Sequence, residues 1–219
     1  MSSLLTPGVL QQQANGSGKQ YALSFDGVDD YGVIKDSISI NIYDKLSISV
    51  WIKPFEIDIN NFLGKFREPD YQWILRVFQG NISFWLGGNW HTGNISITNN
   101  EWHNVIVTFD DANDIIRLYV NNFFDSEFIE NAIIQGSSDI TFGARFVNSF
   151  NYEGLIDDIR IFNKIINSEE REFLFNNKYK KLGYEALFLP INDGEGSTVN
   201  DLSDNGNNGT IYGAQWIEL

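Results

Sequence analysis

Leu46-Ser47-Ile48-Ser49-Val50-Trp51-Ile52-Lys53-Pro54 alternates apolar and polar side chains and stops at a proline. A period of two marks a strand with one face against a core, and proline, which has no N–H to donate, ends it. The same texture continues outward. Tyr71 to Phe78 and Ile82 to Leu86 flank Gln79-Gly80-Asn81, which reads as a hairpin turn. Trp102 to Phe109 and Ile115 to Val120 flank a turn from Asp110 to Asp114, Asn121-Asn122 makes the next turn, and Leu155 to Phe162 is a further strand. Many strands at short spacing with Gly, Asn and Asp turns predict an all-β protein, a sandwich or a barrel. Only one helix is expected. Ser168 can cap it, Glu169 and Glu170 suit its positive end, and Phe173-Leu174 give it an apolar face.

The chain has 219 residues, the size of one large β domain able to bury a core without staples. Hydrophobic residues make up 42% and aromatics 15%, which excludes a disordered chain. Lys and Arg number 15 against 29 Asp and Glu, a net charge of −14 that repels nucleic acid and anionic membrane and leaves carboxylates for cations. With no cysteine there is no disulfide framework, thiolate zinc site or thiol nucleophile. The opening Met1 to Gly8 has no basic n-region and no apolar core, so no signal peptide is expected there. No apolar run approaches the roughly 20 residues of a membrane span. Residues 1–20, with Gln11-Gln12-Gln13 and Gly16-Ser17-Gly18, read as a flexible arm. Leu4 to Val9 reads alternatively as a docking peptide, a means of holding a second copy or a virion partner.

Five segments, in order, resemble the laminin-G-like, concanavalin-A-like jelly roll. Tyr21 to Tyr31 (YALSFDGVDDY) is similar to its opening strand and turn, Leu46 to Pro54 to the next core strand, and Glu101 to Asp110 (EWHNVIVTFD) to a central one. Leu118 to Asn122 resembles the following hairpin, and Gly154 to Asn163, with Ser168-Glu169-Glu170 behind it, the closing strand and helix. The resemblance implies two stacked antiparallel sheets and adhesion or carbohydrate recognition. The tail departs from that order. Asn192 to Val199 and Gly209 to Trp216 are similar to the segment that normally precedes the opening strand. Either the chain ends inside a second repeat, or 185–219 folds back into that place, as in a circular permutation. A lone half-repeat would expose Leu187, Phe188, Leu189, Ile211 and Trp216 at roughly 1.5–3 kcal/mol each. The fold-back is therefore the expectation, with one jelly-roll domain over 21–219.

Catalysis finds little to work with. Glucanases sharing the jelly roll carry a Glu-x-Asp-x-Glu strand, since retaining hydrolysis needs two carboxylates about 5–5.5 Å apart. Glu56-Ile57-Asp58-Ile59-Asn60 ends in an amide that can act as neither acid nor base. His91 and His103 are the only histidines, without zinc-ligand spacing, and no serine sits in a nucleophile elbow. No catalytic residue is assigned.

Asp157 shares the strand parity of Leu155, Ile159 and Ile161, and a carboxylate on an apolar face needs a partner. Jelly rolls resembling this one place a structural Ca²⁺ between that closing-strand Asp and backbone carbonyls after the opening strand, which here would come from Asp26, Gly27 and Asp29. The hard oxygens suit Ca²⁺; alternatively Asp157 accepts backbone N–H bonds. Asp158 and Arg160 read as a solvated pair on the other face. For a ligand, Trp85, Asn89, Trp90 and His91 fall in one stretch (FWLGGNWHTG), with Arg145 and Tyr152 elsewhere. Sugars stack on aromatic rings while amides and guanidinium groups bond hydroxyls. The competing reading closes the core with both tryptophans; Trp51 and Trp102 are assigned to the core outright. The expected function is non-catalytic binding of a carbohydrate or a surface protein, in an extracellular or virion-associated setting. The alternative is a structural virion protein presenting the domain, and a glycoside hydrolase comes third.

Overall fold

The computed structural model describes residues 18–67, 70–132, 136–146 and 149–219, so most of the arm expected over 1–20 lies outside the described residues. In chain order the strands are β1 (Tyr21–Asp26), β2 (Tyr31–Ile34), β3 (Lys45–Pro54), β4 (Ile59–Arg67), β5 (Asp70–Phe78) and β6 (Asn81–Leu86). Next come β7 (Asn89–Ser96), β8 (His103–Asp110), β9 (Ile115–Val120), β10 (Phe123–Ile129), β11 (Ile140–Phe142) and β12 (Ala144–Phe146). After β13 (Ser149–Asn151) and β14 (Glu153–Phe162) follow the helix α1 (Ser168–Asn176) and the tail strands β15 (Leu187–Leu189), β16 (Thr198–Val199), β17 (Gly209–Tyr212) and β18 (Gln215–Glu218).

Two antiparallel sheets form a sandwich. The first runs β10-β9-β8-β3-β14-β1-β18, with β15 also on β14; the second runs β16-β17-β2-β11-β4-β5-β6-β7. Alternation explains what each strand buries. Ile48, Val50 and Ile52 of β3 meet Phe62, Leu75 and Phe84 of the second sheet in one core, while the intervening residues face outward. The turns after β5 and β9 are two-residue and left-handed: Gln79 and Gly80 have φ of 50° and 74°, Asn121 and Asn122 of 52° and 65°. Such turns match the twist of the flanking strands.

The outer face of the first sheet carries a smaller cluster under α1: Ile106, Tyr119, Phe162, Ile166 and Leu174. The helix is capped one residue before the sequence reading, by Asn167, whose Oδ1 accepts from Glu170 N–H at 2.9 Å while Glu170 accepts from Asn167 N–H at 2.8 Å. Trp51, read as core, lies on this outer face and stacks on Phe175 at 5.6 Å between centroids. Lys178 Nζ sits 5.2 Å from the Trp51 ring and 4.5 Å from that of Trp102, which is likewise only partly buried.

The Asp158–Arg160 reading is also corrected. A β-bulge between Asp157 and Arg160 breaks the alternation, so Ile156, Ile159 and Ile161 all reach the core. Asp158 takes φ 47° at the bulge. Both of its oxygens bind the Arg160 guanidinium, and Oδ2 also accepts Tyr179 N–H at 2.7 Å. Neither side chain is solvated: Asp158 is 2% exposed and Arg160 1%. The guanidinium lies 3.9 Å over the Phe188 ring and donates to Lys180 O. This is a buried pair fastening the segment after α1 to β14.

The tail is woven through both sheets. β18 pairs antiparallel with β1, Leu23 opposite Trp216, and β17 pairs with β2, Ile211 opposite Gly32. β15 pairs with β14. Leu187, Leu189 and Ile211 belong to the main core, and Trp216 packs against it.

Candidate ligand-binding site

Trp73, Leu75 and Val77 of β5 point into the sandwich, so Ile74 and Arg76 face the other way; in β6, Phe84 and Leu86 point in and Trp85 out. The register carries this outer face across the sheet. Gly64 lies opposite Ile74, Ile74 opposite Trp85, and Trp85 opposite Trp90. Trp90, read as loop, is thus in β7; Gly87 and Gly88, with φ of 62° and 94°, make the turn before it. Both tryptophans are partly exposed.

Phe66 meets Trp85 edge-on at 5.1 Å, and the Arg145 guanidinium lies 4.5 Å over Phe66 and 5.3 Å from the exposed Phe150. Arg145 arrives on the β12–β13 hairpin, which crosses over β4 at Gly64; a Cβ there would stand 3.5 Å from Arg145 O. At the other end the Arg76 guanidinium stacks on Trp90, 3.5 Å from the ring centroid, and lies 4.4 Å from that of Phe78. Burial, and secondarily the like charge of Arg145, lower the pKa of Arg76. The result is a face of three aromatic rings with a guanidinium at each end.

Three of the six expected ligand residues therefore stand together: Trp85, Trp90 and Arg145. The other three do not. His91 projects from the opposite face of β7, with Nε2 3.1 Å from Glu130 Oε2; burial pulls its pKa down against the opposing pull of Glu130. Asn89 Nδ2 donates to the same carboxylate at 3.0 Å, so both residues tether the hairpin tip to the chain after β10. Tyr152 is fully buried, donates to Leu155 O at 3.3 Å, and packs edge-on against Phe25 and Phe62. It is a core residue, and burial raises its phenol pKa. Sequence reasoning missed Phe66 and Arg76. The signal for Arg76 was present: a lone cation at the outward parity of a largely apolar strand.

The acidic turn after β1 brings Asp26, Asp29 and Asp30 together, with one carboxylate oxygen of each within 4.8 Å of the others. Gly27, at φ 77°, allows the chain to bend there. Asp26 Oδ1 accepts from Val28 N–H at 2.8 Å, and Asp30 Oδ2 accepts from Asp26 N–H at 3.0 Å. Burial raises the pKa of Asp30. Three hard oxygens can hold a cation. Asp157 is not among them. Strand alternation turns it outward beneath the segment after α1, where Lys178 Nζ lies 2.5 Å away and Tyr179 donates at 2.7 Å. Burial lifts its pKa to about 7, with Lys178 and Tyr179 pulling the other way.

The Glu56-to-Asn60 stretch has a structural task. Asn60 is 1% exposed; its Nδ2 donates to Glu56 O at 2.7 Å and Glu153 O at 3.0 Å, and its Oδ1 accepts from Glu153 N–H at 2.9 Å. The amide, unlike a carboxylate, can both donate and accept here.

A family model described as Laminin_G_3, Concanavalin A-like lectin/glucanases superfamily, matches residues 26–170. No curated protein matches the sequence. Among solved structures, the chain is similar to a candidate carbohydrate-binding protein from Bacteroides ovatus, with a TM-score of 0.73 and 16% identity over 92% of this chain; it spans 60% of that protein's length. It is similar to the heptameric SAP-like pentraxin of Limulus polyphemus, at TM-score 0.62 and 14% identity, over 88% of this chain and 94% of that one. The CBM40 of a Ruminococcus gnavus sialidase, solved with α2,3-sialyllactose, matches at TM-score 0.56 and 12% identity, over 69% of this chain and 95% of that one.

Proposed function

Because the chain belongs to the concanavalin A-like lectin/glucanase superfamily, we propose that it is a non-catalytic recognition module that binds carbohydrate through the outer face of the second sheet. The observation that carries this reading is the row Trp85–Trp90, partly exposed and flanked by Phe66, Arg76 and Arg145. Rings of this kind supply stacking area and guanidinium groups supply fixed donors for hydroxyls. The absence of chemistry rests on Asn60, held by three hydrogen bonds where the glucanase pattern has a carboxylate. The similar structures include carbohydrate-binding proteins, which supports the reading at the level of class.

A single stacking contact is worth about 1 kcal/mol. Monomer affinity is therefore weak, toward millimolar, and becomes useful when many copies act together. Display outside the cell, or on a virion, is where such avidity operates. Among the described residues no helix is long and apolar enough to cross a membrane. We assign Ca²⁺ to the Asp26–Asp29–Asp30 turn on its oxygen donors, without Asp157. The function is tested on a glycan array with the protein presented multivalently. Binding to a defined set of glycans without turnover is expected; silence across the array, or release of reducing ends from any polysaccharide, overturns it.

A further inference from the structure

Resting on the glycan-binding reading of this face, we propose that the selected ligand carries an acidic sugar, whose carboxylate or sulfate is gripped by Arg76 and Arg145 beside the Trp85–Trp90 pair. In a chain of net charge −14, the fully buried cations Lys65, Arg160 and Lys178 are matched by the carboxylates of Asp36, Asp158 and Asp157. Arg76 has no such match. It is partly buried, yet among the described residues it meets no carboxylate and no hydrogen-bond acceptor, only the rings of Trp90 and Phe78. Its Nε is buried with no acceptor. A buried donor left without a partner is costly, and an anion on the fork would relieve it.

The stacking geometry favours the same ligand. A guanidinium stacked on an indole engages the ring through its face and leaves its N–H groups unused, and those groups suit a carboxylate or sulfate. The Arg145 guanidinium lies 4.5 Å over Phe66, whose edge contact leads to Trp85. The like charge of Arg145 is felt at Arg76, and an anion bound on this face lessens that repulsion. Arg76 also covers one face of Trp90, so a sugar ring has less of that indole to stack on and charge takes a larger share of the selection. The chain's own negative charge repels polyanions at a distance. The fitting ligand is accordingly a saccharide with isolated acidic residues.

The test is NMR of the Arg Nε–H and Trp indole N–H signals of the whole protein, titrated through the millimolar range with glucuronate, glucose 6-sulfate, glucose and acetate. Saturable shifts at Arg76 and at the Trp85 and Trp90 indoles are expected with glucuronate or the sulfate, and whichever acts identifies the anionic group. Glucose should bind about tenfold more weakly, a difference of about 1.4 kcal/mol. Arg76→Gln should erase the gap between the acidic sugars and glucose at an unchanged urea midpoint. Equal binding of glucose at the same indoles overturns the acid selectivity and leaves the glycan face standing. Acetate acting as strongly as glucuronate also overturns the inference, as a bare anion site. Shifts at neither indole with any sugar overturn both.

Discussion

Removing residues 209–219 should destabilise the domain by more than about 5 kcal/mol. The deletion takes away β17 and β18 together. It strips Ile211 and Trp216 from the core, each worth roughly 1.5–3 kcal/mol on burial. The same deletion opens one edge of β1 over Tyr21–Ser24 and one edge of β2 over Tyr31–Ile34, and each lost ladder bond contributes about 1 kcal/mol net. Against a typical total of about 5–15 kcal/mol, the truncated domain should be marginal or unfolded at room temperature. The assay is urea unfolding followed by tryptophan fluorescence, with Ile211→Ala as a milder companion expected to lose about 2–4 kcal/mol. An unchanged midpoint in the truncation would refute the fold-back and revive a dispensable half-repeat. We propose on this basis that the tail stands in for the segment preceding the opening strand, a circularly permuted order of the family's fold.

Other outcomes follow from buried charge. Asp157 titrates near pH 7 in the folded state, above its ordinary value of 3.8, because burial outweighs Lys178. The folded state then holds that proton more tightly, so its contribution is full below about pH 4 and is lost as pH rises through 7. Asp157→Asn should flatten that decline in melting temperature, and an identical pH profile would contradict it. Arg160→Met should cost about 3–5 kcal/mol by stranding Asp158, whereas joint replacement of both by apolar residues should recover much of the loss in chemical denaturation. Asn60→Asp should lose stability, since a carboxylate would face two carbonyl oxygens, and should gain no hydrolysis of β-glucans. If the Asp26–Asp29–Asp30 turn holds Ca²⁺, chelator should lower the melting temperature in wild type and not in Asp29→Asn; equal curves with and without calcium in wild type would remove the ion.

Leu46 to Lys53 was readable from its alternation, and Tyr71 to Phe78 from the Gln79-Gly80-Asn81 turn that ends it. Parity failed at β14, where the bulge at Asp158 inserts a residue that no composition rule announces. Asp157 consequently went to a supposed cation site, although Lys178, twenty-one residues later in the chain, is its partner. Trp51 was misplaced for a related reason. Sequence shows which residues share a face but not that a second layer, α1 and the segment after it, covers the outer side. At the proposed ligand face, proximity in sequence grouped Asn89, Trp90 and His91, while the strand sends alternate side chains to opposite faces. The residues that complete the face, Phe66, Arg76 and Arg145, come from separate strands that only sheet register brings together.

The most direct test of the central claim is calorimetric titration of the best array glycan into wild type, Trp85→Ala, Trp90→Ala and the double variant. Loss of one indole should weaken binding about fivefold, the equivalent of about 1 kcal/mol, and loss of both should abolish measurable heat while the urea midpoint stays near that of wild type. Undiminished affinity in the double variant would place the glycan elsewhere on the molecule and contradict the account.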